Sequence, residues 1–194
     1  MSTVVEKTYA PEDLLAMPDG KSYELVDGHL VERNMSALSS WVGGKTYCAL
    51  DDFVSEHQLG WAWPADLGYA CFPDAPGKVR RPDVSFIRKE RLPDGPTSEG
   101  YMFIPPDLAV EVISPNDLAY EVDHKVVEYL DAGVPLVWVI NPEARTVRVH
   151  RRTGPLAWLR EDDELSGEDV LPGFRCRVSQ LFPEKIAGKT TASS

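Results

Sequence analysis

No run of apolar residues in this 194-residue chain approaches the ~20 needed to cross a bilayer, and none follows Met1-Ser2-Thr3-Val4-Val5-Glu6-Lys7 as a secretion signal requires. A cytoplasmic protein is expected. Cysteine is scarce as well: Cys48, Cys71 and Cys176 are odd in number and form no C-x-x-C, which argues against a disulfide frame or a thiolate zinc site. Positive charge is in deficit, with 20 Lys and Arg against 31 Asp and Glu and a net charge of −11, so bulk electrostatics cannot coat nucleic acid. His29, His57, His124 and His150 show neither H-x-x-x-H nor H-x-x-E-H spacing, and G-x-S-x-G is absent. Gly43-Gly44-Lys45-Thr46 ends like a phosphate loop, but Ser39 stands where that motif needs its first glycine.

What is present is globular. Hydrophobic residues make up 43% and charged residues 26%, and a chain of this size buries roughly 70% of its surface, enough for one domain without metal or disulfide support. We expect that domain to span 1–185, with 186–194 a disordered tail short of apolar groups. Against the acidic background, Lys78, Arg80, Arg81, Arg88, Lys89 and Arg91 face only Asp83 and Glu90, a local basic stretch. It reads either as a phosphate-binding patch or as a solvated surface.

Pro11 opens a short helix that Pro18-Asp19-Gly20 closes. Tyr23–Val26 and His29–Glu32 flank Asp27-Gly28, the signature of a type I′ hairpin. Over 37–57, Leu38, Trp41, Val42, Leu50, Phe53, Val54 and His57 follow helical spacing, interrupted by Gly43-Gly44. Strands are expected at 66–72, 83–87, 107–113, 136–140 and 146–150, with an edge strand at 156–159, a Pro/Gly-rich loop at 91–106 and a helix at 117–132 ended by Gly133. The fold class is α/β or α+β, a mixed sheet with helices against it.

Strand alternation puts Asp107, Ala109, Glu111 and Ile113 on one face and Leu108, Val110 and Val112 on the other, which leaves Glu111 an acid in nonpolar company. Asp83 and Ser85 likewise oppose Val84 and Phe86. On the 117–132 helix, Lys125 falls in the inward stripe with Leu118, Val122, Tyr129 and Ala132. A core-facing ammonium needs an anion, and Glu111 on the preceding strand is the simplest one; snorkelling to water is the alternative. Two carboxylates with a backbone carbonyl such as that of Ile113 suit Mg²⁺ or Mn²⁺, and a lysine beside them suits phosphodiester hydrolysis. Lys78, Arg80, Arg81 and Arg88 would then hold the DNA backbone.

The run Arg81-Pro82-Asp83-Val84-Ser85, then Pro106–Pro115 around Glu111, then Lys125, Tyr129, Ala132-Gly133-Val134 and Trp138 resembles the bacterial Uma-type restriction-endonuclease domains of the PD-(D/E)XK nuclease superfamily. The similarity runs from the opening helix and Tyr23-Glu24-Leu25-Val26-Asp27-Gly28 to about Phe182, nearly the whole chain. It implies a restriction-endonuclease-like core, a divalent-metal site with Asp83 and Glu111 as ligands, and Lys125 as the catalytic lysine. Ile113 occupies the usual lysine place, two residues after the acid; in this branch the following helix supplies the lysine. Glu24 matches an acidic position that completes the site, and Tyr129, one turn beyond Lys125, is an auxiliary hydroxyl.

Three readings follow. The first is a Mg²⁺- or Mn²⁺-dependent DNA endonuclease, for which a homodimer would serve cleavage of both strands. In the second, an inactive module binds nucleic acid or a protein through residues 78–91. The third treats Glu111–Lys125 as a structural ion pair.

Overall fold

Asp27 and Gly28 both take positive φ, 50° and 79°, and the type I′ turn they make pairs β1 (Tyr23–Val26) with β2 (His29–Glu32). The structure, a computed structural model, describes residues 7–98 and 100–184; the expected 186–194 tail lies outside them. Ahead of the hairpin is α1 (Pro11–Ala16), with Pro11 in its first turn and Glu12 and Asp13 toward the positive end of its dipole. After it, α2 (Ala37–His57) starts at a reciprocal cap: Ser36 Oγ accepts the Ser39 N–H, and Ser39 Oγ accepts that of Ser36.

Six strands form the central sheet in the order β3 (Gly60–Pro64), β4 (Val84–Arg88), β5 (Leu108–Val112), β6 (Leu136–Asn141), β7 (Thr146–Arg151) and β8 (Ala157–Leu159). Only β5 and β6 are parallel, and α3 (Ala119–Asp131) is the crossover between them. A separate hairpin pairs β9 (Glu164–Ser166) with β10 (Arg175–Arg177), and a short 3-10 turn at Val178–Leu181 follows it. The hairpin was not read from sequence, because strands of three residues are too short for alternation to stand out.

The sheet has two packed faces. Val84, Phe86, Leu108, Val110, Val112, Trp138 and Ile140 meet Val42, Leu50 and Val54 of α2 and Leu171, Phe174 and Val178. On the other face Ile87, Ala109, Val137 and Val139 meet Val122, Val126 and Tyr129 of α3 with Tyr69 and Phe72. Leu25 joins the small third cluster with Leu14, Val79 and Tyr101, and exchanges backbone hydrogen bonds of 2.9 Å with Val79, which ties the hairpin to the segment leading into β4.

Several expectations need correction. Segment 66–72 is not a strand: Tyr69 alone bridges Arg80 and Met102. At Gly68 a Cβ would lie 2.7 Å from the Tyr101 ring, so the chain is squeezed there rather than laddered. On α2, Trp41 is 46% exposed, and the buried stripe runs Ser39, Val42, Gly43, Thr46, Leu50, Val54. Its first half is small and polar because it lies against β4 and β5 near Asp83 and Val112. Leu118 precedes α3 and is 49% exposed, outside the inward stripe. The three cysteines are free, and no described helix is long and apolar enough to cross a membrane.

Candidate active site

The β4–β5 register pairs Val84 with Val110, and one step further brings Asp83 beside Glu111. Asp83 is fastened to β5 on both sides of that glutamate. Its N–H donates to Val110 O at 2.9 Å, and its Oδ2 accepts the Val112 N–H at 2.7 Å. Burial pushes its carboxyl above the usual range, against the pull of the Val112 N–H and of Arg33, whose Nη2 donates to Asp83 Oδ1 at 3.2 Å.

Lys125 reaches the same place from the opposite side. Its Nζ lies 3.2 Å from Glu111 Oε2 and 3.1 Å from Glu24 Oε2. Tyr129, one helical turn on, donates its hydroxyl to Glu111 Oε1 at 2.8 Å. Burial pushes the Glu111 carboxyl up to about 7; Lys125 pulls it down, while Asp83 and Glu24 push it further up. Lys125 is buried too, yet Glu111 and Glu24 hold its proton more tightly than normal. It is therefore a fixed cation rather than a base.

Glu24, assigned a completing role from the hairpin, is at the centre. It is 1% exposed, its Oε2 also accepts from Arg80 Nη1 at 2.8 Å, and its Oε1 accepts the Arg81 N–H at 2.8 Å. Although burial opposes ionisation, Lys125, Arg80 and that N–H hold its carboxyl down at about 2. An exposed hairpin glutamate would do none of this; the Leu25–Val79 bridge turns it inward.

In the basic stretch, Lys78, Arg80, Arg81 and Arg88 each have a partner within the protein. Lys78 pairs with Glu128 at 2.5 Å, and Arg80 is bound by Glu128 at 2.7 Å and by Glu24. Arg81 donates to the carbonyls of Tyr23 and Asp66, and Arg88 to those of Val170 and Asp169. These charges hold the hairpin, α3 and the C-terminal segment onto the sheet. Ile113 donates its N–H to Ile140 O on β6, so its backbone edge looks away from Asp83, whereas that of Val112 looks toward it. Arg33 and Glu128 were missed, since nothing in their spacing links them to the acids.

Glu24, Arg33, Asp83, Glu111, Val112 and Lys125 all line one cleft of about 330 Å³. A family model described as "putative restriction endonuclease", Uma2, matches residues 11–179. The chain belongs to the Uma2 family. A solved structure similar to this Uma2 chain, titled a putative nuclease belonging to DUF820 from Anabaena variabilis, has a TM-score of 0.74 and 19% identity, over 89% of this chain and 96% of that one. The fold is the nuclease-like α+β fold expected of the PD-(D/E)XK superfamily. No curated protein matches.

A divalent ion can be tested against this Uma2 site by its donors. Among the described residues no three His, Cys, Asp or Glu side chains stand together as a ready-made metal group. Asp83 and Glu111 nonetheless supply hard oxygens on adjacent strands, both with carboxyls pushed up by burial, and a bound cation would relieve that. The donor set fits a hard cation held by two acids, a backbone carbonyl and water.

Proposed function

We propose that this Uma2 protein is a Mg²⁺- or Mn²⁺-dependent endonuclease acting on DNA. The observation that carries the reading is Lys125 Nζ at 3.2 Å from Glu111 Oε2, with Glu111 flanked by the two bonds that tie Asp83 to β5. An acid pair with a fixed ammonium is the equipment for moving negative charge onto and off a phosphodiester.

Asp83 and Glu111 would hold the ion, with the carbonyl of Val112 a better-directed third donor than that of Ile113 because the Val112 edge faces Asp83. When bound, the ion supplies an activated water and Lewis-acid polarisation of a phosphoryl oxygen. Lys125, permanently charged between two carboxylates, offsets charge developing on the phosphoryl oxygens and orients the attacking water. Tyr129 fixes the Glu111 carboxylate through its hydroxyl. Glu24 positions Lys125 and Arg80. The alternative of a binding module built on residues 78–91 finds Lys78, Arg80, Arg81 and Arg88 already committed within the protein.

Supercoiled plasmid incubated with Mn²⁺ or Mg²⁺ tests the reading. Wild type should nick it, and Asp83→Asn, Glu111→Gln and Lys125→Met should each lose at least about a hundredfold in rate, the usual scale for removing one electrostatic stabiliser. Equal nicking by all four proteins overturns the assignment.

A further inference from the structure

Among the basic side chains lining the cleft, Arg33 is partnered differently from the rest. Arg80 is held by two carboxylates, Glu24 and Glu128, Arg81 by two carbonyls, and Lys125 by Glu24 and Glu111. Arg33 has a side chain only 9% exposed, yet among the described residues its guanidinium makes a single hydrogen bond, to Asp83 Oδ1 at 3.2 Å. A guanidinium has five N–H donors in a rigid fork that matches phosphate. Arg33 lines the cleft. Its one partner is also an acid that the proposed cation would need.

The backbone beneath Arg33 is clamped. Arg33 N–H donates to Ser22 O at 2.9 Å, which extends the hairpin ladder by a residue pair. The next residue, Asn34, donates through Nδ2 to Asp117 at 3.1 Å and accepts from Ser114 Oγ at 3.2 Å, while Ser114 Oγ lies 2.8 Å from Ser39 Oγ. The start of α2, the exit of β2 and the loop after β5 are thereby held together. Only the arginine side chain is left to move.

Resting on the nuclease reading above, we infer that Arg33 is the substrate-phosphate gripping residue of this site, occupying Asp83 until a divalent cation displaces it toward a phosphodiester oxygen. Cation and guanidinium compete for one carboxylate, and the displaced guanidinium is the charge the incoming phosphate meets. Metal therefore strengthens nucleic-acid binding, and by linkage nucleic acid strengthens metal binding. An arginine grips a phosphate through two parallel N–H bonds, which a lysine cannot reproduce. This device also supplies the local cation that a chain of net charge −11 needs.

The test uses the full chain with Arg33→Gln and Arg33→Lys, both checked for an unchanged melting profile at their working temperature. Calorimetric titration with Mn²⁺ alone should show Arg33→Gln binding about tenfold more tightly than wild type, with Arg33→Lys close to wild type. Anisotropy of a short labelled DNA duplex, with Ca²⁺ in place of Mn²⁺, should show about tenfold weaker binding by Arg33→Gln and an intermediate loss for Arg33→Lys. Ca²⁺ should raise duplex affinity for wild type and not for Arg33→Gln. Mn²⁺ binding that is unchanged or weakened in Arg33→Gln overturns the competition, and duplex binding equal to wild type overturns the phosphate role. A wild-type protein that binds no duplex with any metal instead brings down the nuclease reading, and the role of Arg33 with it.

Discussion

Lys125 Nζ stands 3.1 Å from Glu24 and 3.2 Å from Glu111, so one ammonium joins a hairpin near the start of the chain to the middle of the central sheet. The two carboxylates it bridges titrate in opposite directions, about 2 for Glu24 and about 7 for Glu111. Arg80 and the Arg81 N–H make the difference: Glu24 has them and Glu111 does not.

Lys125→Met should therefore destabilise the protein in a pH-dependent way. Glu111 has a folded pKa above its ordinary 4.5, so its ionisation costs stability as pH rises from about 4.5 to about 7. Without Lys125, which pulls that value down, the upper end moves above 7. The melting-temperature gap between variant and wild type should widen from pH 6 to pH 9. A gap independent of pH would show that Lys125 does not charge-compensate Glu111.

Glu24→Gln should be the more damaging change at neutral pH. It removes the buried anion that Arg80 and Lys125 share and leaves them Glu128 and Glu111 alone, a loss of about 3–5 kcal/mol, or roughly 6–20 °C in melting temperature for a chain of this length. The folded pKa of Glu24 lies below its ordinary 4.5, so its stabilisation is complete above that value and is lost as pH falls toward 2. Urea melts at pH 7 and below pH 4.5 should show the difference between the two proteins shrinking in acid.

Lys78→Gln and Arg88→Gln should leave DNA affinity and its salt dependence unchanged. A phosphate contact contributes about 0.9 to the slope of log K against log salt, and these side chains are spent on Glu128 and on the carbonyls of Asp169 and Val170. Binding measured from 50 to 200 mM salt checks this, and a flatter slope in either variant would restore the surface-patch reading.

Gly44→Ala should stabilise the protein by about 0.8–1 kcal/mol, the helix-propensity difference between the two residues. A Cβ at Gly44 meets nothing within 4 Å. Thermal melts should move up by about 2–4 °C. A fall instead would mean that the open space beside it is used.

The acids and the lysine were legible in the sequence because period-two and period-3.6 patterns fix faces: Glu111 against Leu108, Val110 and Val112, and Lys125 in line with Val122 and Tyr129. Glu24 was singled out only by the family resemblance, and its depth follows from a bridge between Leu25 and Val79 more than fifty residues away, which no local pattern encodes. The basic stretch misled for a related reason. Charge counts register sign but not partners, and Glu128 and Glu24 come from elements distant in sequence. The stripe on α2 ran through Ser39, Gly43 and Thr46, where hydrophobicity is silent. Arg33 carried no signal at all, since its meaning lies wholly in the carboxylate it happens to face.

Glu24 and Lys125 are separated by about half of the polypeptide, and the lysine is carried by the crossover helix between the parallel strands β5 and β6. Glu24 and Asp83 stand in the amino-terminal half of the chain, Glu111 and Lys125 in the other. The acids and the lysine of the cleft therefore meet only once the hairpin, β4, β5 and α3 are all in place.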